Sequence, residues 1–75
     1  MKLQNDDDTL GEIASREDAE AIRESIRGDE FKYGVASNAL DYALSGDERH
    51  LVYLSPRDRK RATALAAEIR AAFGT

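Results

Sequence analysis

Chain punctuation sets the tightest limit on what this sequence can fold into. Gly28, Gly46 and Gly74 each follow a helix-compatible run, while Ser15 and the Ser55-Pro56 pair each stand where a new helix can begin. Glycine favours the left-handed turn that closes a helix, and proline suits a first helical position. The residue before proline is pushed out of the helical region. These stops and starts leave segments of ordinary helix length, about 8–20 residues.

Ser15 with Asp18 and Ser55 with Asp58 both have the capping order of a hydroxyl followed three residues later by a carboxylate. Thr9 with Glu12 has it too, and competes for the first start. On a helix beginning at Leu10 and stepping about 100° per residue, Leu10, Ile13, Ala14 and Ala21 gather on one side. Ala19, Ile22 and Ile26 lie opposite, and one straight helix cannot bury both sets against a single neighbour. The pattern predicts a short helical turn over 10–14, a break at Ser15 and a principal helix over 16–27.

Apolar residues from Phe31 to Leu44 cover more than half of the helical circumference, with Ser37, Asn38, Asp41 and Ser45 on the remainder. This distribution predicts a central helix over 31–45. Gly34 weakens its start and leaves an extended EFKY at 30–33 as the alternative. The run HLVYL at 50–54 suits a short helix or a buried strand; Asp47 and Glu48 before it resemble a helix entry and favour a helical piece over 48–54. The last helix, 56–73, carries Ala62, Leu65, Ala66, Ile69 and Phe73 as one stripe.

The fold class expected is therefore all-α, a compact small bundle of three main helices plus one or two short helical segments. The alternative is α+β, with a short hairpin made from 30–33 and 50–54. Residues 1–8 read as a flexible acidic N-terminal tail, and 9–75 as a single helical domain. A chain of 75 residues has room for one core. The absence of cysteine removes disulfides and thiolate metal sites and fits a reducing cytoplasm. No apolar run approaches the roughly 18 residues of a membrane span, so a membrane partner is not expected.

Little points to catalysis. His50 is the one imidazole, and neither a nucleophile elbow nor a glycine-rich phosphate cradle accompanies it. The adjacent carboxylates Asp29 with Glu30 and Asp47 with Glu48 read as solvated loops. Asn5 to Asp8 supply oxygen ligands without the spacing of a calcium loop. No catalytic residue, metal ligand or cofactor is assigned, and Arg27-Gly28-Asp29 reads as a helix stop followed by an acid.

Charge is more informative. The first thirty residues hold ten acidic and four basic side chains, the remainder five and seven, within a net charge of −4. Arg57, Arg59, Lys60 and Arg61 crowd the start of the last helix, where the helix dipole disfavours cations by about 0.3–1 kcal/mol each. Some other contact should compensate. One reading pairs them internally with Glu17, Glu20 or Glu24. A second has them grip an acidic patch of another, larger protein, with Tyr53 or Tyr33 beside them and Asp6, Asp7 and Asp8 as a further acidic contact. A third, less favoured, is phosphate contact with nucleic acid, against which stand the acidic first half and the lack of stacking aromatics. The function expected is a small non-enzymatic regulatory or inhibitory protein-binding module; the alternative is a helical DNA-binding regulator.

Overall fold

The computed structural model describes residues 1–5 and 8–73. A β-hairpin comes first: β1 (Lys2–Asn5) pairs antiparallel with β2 (Asp8–Glu12), Lys2 opposite Glu12 and Asn5 opposite Asp8, with a register slip between Leu3 and Gln4. Of the expected tail over 1–8, residues 2–5 and 8 are strand, and the hairpin also corrects the helical turn expected over 10–14. The physical reason is alternation: Leu3 points inward and is fully buried while Lys2 and Gln4 face solvent, so one side chain anchors a polar strand to the core. Asp6 and Asp7 lie outside the described residues.

Gly11 lets the hairpin lie close against the first helix. Its φ is 152°, and a Cβ there would sit 2.9 Å from Ile22 Cδ1. That helix, α1 (Arg16–Ser25), starts at Ser15, whose Oγ accepts the Asp18 N–H at 3.3 Å. The Asp18 carboxylate accepts the Ala14 N–H at 2.8 Å, so the Ser15 cap prevails, while Thr9 and Glu12 belong to β2. Ala19, Ile22 and Ile26 form the buried side of this segment.

Helix α2 (Gly34–Ser45) is the centre of the molecule and packs most extensively on α4 (Pro56–Ala72). Between them in sequence lies a short helix, α3 (Arg49–Val52), which occupies part of HLVYL. Ala36, Ala39, Leu40 and Ala43 are buried on α2, and Ala62, Ala66 and Ile69 on α4. Small side chains on both helices allow a close approach of their axes. Residues 30–33 form a turn before α2, with Tyr33 as the N-cap residue, so the central helix begins later than expected. The alternative hairpin from 30–33 and 50–54 is overturned, because one segment is a turn and the other is mostly α3. Among the described residues the architecture is a small helical domain of four helices with a two-stranded hairpin at its N-terminal end, which fits an α+β description as well as an all-α one.

Helix ends leave carbonyls without intrahelical partners. At the end of α2, Gly46 takes the left-handed conformation at φ 75° and donates its N–H to the Tyr42 carbonyl at 2.8 Å. Arg70 of α4 adds bonds to the Ala43 and Tyr42 carbonyls at 3.2 and 3.0 Å, and Arg16 of α1 donates to the Leu44 carbonyl. Two arginines from different helices thus close one C-terminus, where positive charge also favours the helix dipole.

Candidate functional site

The Ser55-Pro56 pair fixes the direction in which α4 leaves the α3 turn. Ser55 Oγ accepts the Asp58 N–H at 3.2 Å, and Pro56 occupies the first helical turn. From this start the four basic residues diverge. Arg59 turns back: its Nε donates to the Leu51 carbonyl at 3.2 Å, and its Nη2 to the Val52 and Leu54 carbonyls at 3.3 Å each. It satisfies the carbonyls at and beyond the end of α3, so this residue, expected at the partner contact, has a structural role within the chain while its side chain stays exposed.

Arg57, Lys60 and Arg61 remain exposed. Arg61 Nη1 lies 3.6 Å from Asp58 Oδ1 in a loose pair whose side chains are about half open to solvent. Among the described residues, Arg57 and Lys60 make no ion pair or side-chain hydrogen bond. Internal pairing with α1 is also corrected: Glu20 pairs with Arg16 at 3.4 Å and Glu24 with Arg27 at 3.3 Å. The reason is position. The start of α1 lies at the other end of α4, where the Arg16 guanidinium stands 5.9 Å from the Phe73 ring centroid.

Charges do hold the helices together elsewhere. Arg23 Nε donates to Asp41 Oδ1 at 2.7 Å across α1 and α2, in a pair with both side chains mostly covered. The Asp41 bond raises the Arg23 pKa above its ordinary value, and Glu30, 3.4 Å from Arg23, adds to it. His50 Nδ1 lies 3.9 Å from the other oxygen of Asp41, so the one imidazole borders this structural pair. Asp47 receives the Arg49 guanidinium at 2.7 Å and its backbone N–H at 2.9 Å, which together lower its carboxyl pKa to about 2.

The surface around the α4 start is furrowed. One depression of about 360 Å³ runs between β1 and α4, bordered by Gln4, Ala64, Leu65 and Glu68. A second, of about 250 Å³, continues past the start of α2 to Phe31 and Lys32. They share Asn5, Val35 and Arg61, so Arg61 stands where the two meet. Phe31 is wholly exposed at 103%, an unusual placement for a phenylalanine. Tyr53, at 92%, is equally open beside Val52 on the α3–α4 turn, but it does not line the furrow. Asp8 belongs to β2 and lies 3.8 Å from Lys32 Nζ, so it faces this chain's own cation.

Phe31 and the β1 border are not marked as site residues by the sequence pattern. Phe31 fits the helical wheel of the central helix, and Gly34 is the one signal that the helix starts after it. Among the described residues no helix is long and apolar enough to cross a membrane, and no cluster of three or more acidic or imidazole groups is placed to hold a metal ion. No protein-family model, curated protein or solved structure matches the chain.

Proposed function

We propose that this chain is a non-enzymatic protein-binding module that regulates or inhibits a larger protein by occupying part of its surface. The single observation that carries the reading is the division of the α4 basic cluster: Arg59 is engaged by backbone carbonyls, while Arg57 and Lys60 point to solvent without a described partner. Cations at a helix start carry a cost to folding, so their presence there is understood if an acidic partner compensates it. Arginine's planar fork suits carboxylates, and exposed Phe31 and Tyr53 supply apolar contact beside it. A cysteine-free chain of this kind suits the cytoplasm.

Charge reversal tests the reading. The triple variant Arg57→Glu, Lys60→Glu, Arg61→Glu is expected to lose capture of its partner from native cytosol while keeping its helical circular dichroism. Unchanged capture contradicts the proposal. A bound fraction consisting of duplex DNA, released steeply by salt, would instead support the DNA-binding alternative.

A further inference from the structure

We propose that the exposed face of α4 is taken by a second copy of this chain, the two α4 helices packing antiparallel about Ala64 so that Lys60 of each copy meets Glu68 of the other. The inference goes beyond the larger partner: it states what this face does when the chain is alone, and the two occupants exclude each other. Its first support is position. Lys60, Ala64 and Glu68 follow one another at four-residue steps and are all exposed, on the side of α4 opposite the buried Ala62, Ala66 and Ile69. They form one of the rows along which helix surfaces interlock. The row rises about 12 Å, with a cation at one end, a carboxylate at the other and a single methyl group between them.

The second support is charge complementarity, which selects the occupant. Among the described residues neither Lys60 nor Glu68 makes an ion pair or a side-chain hydrogen bond, and within one helix they are too far apart in sequence to be neighbours. A two-fold interface presents the same patch twice, so a charged patch that suits itself needs both signs. When two such rows run in opposite directions, each Lys60 faces a Glu68. Arg61, already beside Asp58, is not needed for the contact. Parallel rows would instead set Arg57, Lys60 and Arg61 against their own copies. The antiparallel direction also opposes the two helix dipoles and keeps the two basic turns at opposite ends of the contact. Ala64 at the crossing point lets the axes approach in the commonest crossing class, about −50°. One helix face buries less than the roughly 800 Å² per partner of a standard interface, so the pair is weak and forms as concentration rises.

Sedimentation equilibrium of the chain from about 10 μM to about 1 mM tests the proposal. The apparent mass should rise above the 8.3 kDa of one chain toward twice that value. Lys60→Glu and Glu68→Lys should each weaken association about tenfold, because each places like charges together at two symmetric points. Mixing those two variants should restore it, since both contacts of the mixed pair again join lysine to glutamate. The doubly reversed chain, Lys60→Glu with Glu68→Lys, should associate like the parent for the same reason. Ala64→Arg, which sets two guanidinium groups together at the crossing point, should stay monomeric with unchanged helical circular dichroism. The mass of one chain throughout the range, association indifferent to either single reversal, or failure of both the mixture and the double variant to restore it overturns the proposal. A chain that stays monomeric and yet captures a larger protein through Arg57 and Lys60 overturns it too, and leaves the protein-binding reading standing.

Discussion

The two ends of α4 handle positive charge in opposite ways. At its C-terminal end Arg70 reaches the Tyr42 and Ala43 carbonyls and lies 5.0 Å from the Tyr42 ring centroid, while Arg16 covers the neighbouring Leu44 carbonyl. At its N-terminal end Arg59 alone does equivalent work for α3, and Arg57 and Lys60 extend into solvent. The difference teaches that arginine count says nothing about binding. What matters is whether the guanidinium reaches carbonyls that would otherwise lack partners. The closed end is built from cations that fold the chain; the open end carries cations whose folding role is unfavourable.

Removing both cations at the closed end should give the largest effect. Arg16→Gln with Arg70→Gln strips three carbonyl bonds and two aromatic contacts, and is expected to lower unfolding free energy by about 2–3 kcal/mol in urea titration. Arg23→Gln, which leaves the mostly covered Asp41 without its guanidinium partner and with only His50 nearby, should cost about 2 kcal/mol. At the other end Arg59→Gln should cost about 1 kcal/mol. Arg57→Gln and Lys60→Gln should instead raise stability slightly, by about 0.3 kcal/mol each, because each relieves the dipole. A stability loss from that last pair as large as that from Arg59→Gln would erase the distinction between the ends.

Acid adds a smaller, separate test at the α3 entry. Because Asp47 has a folded pKa of about 2, below its ordinary 3.8, its contribution is complete above the ordinary value and is lost as pH falls toward about 2. Its exposure keeps the effect small. The acid limb of the stability profile should therefore flatten modestly in Asp47→Asn, measured by thermal melting between pH 5 and about 2.

The helices were legible because their signals are local. Ser15, Gly46 and Ser55-Pro56 each do in the structure what their residue types imply. The hairpin was not legible, since its stability comes from elsewhere in the chain: Leu3 is its one fully buried β1 side chain, and Gly11 fits only because it leaves space for Ile22 of α1. Two of the acidic residues that suggested a tail, Asp6 and Asp7, fall outside the described residues. As for the candidate site, the sequence marked Arg57, Lys60 and Arg61, but not that Arg59, two residues after Arg57, faces back toward α3. That distinction depends on where the short α3 ends, which composition does not reveal.

Paired stability and capture measurements on two variants test the division most directly. Arg59→Gln should unfold at lower urea and, while folded, still capture its partner; Arg57→Gln with Lys60→Gln should unfold no earlier than the parent and fail to capture. Reversal of that pattern, with stability lost in the double variant and binding lost in Arg59→Gln, would contradict the account.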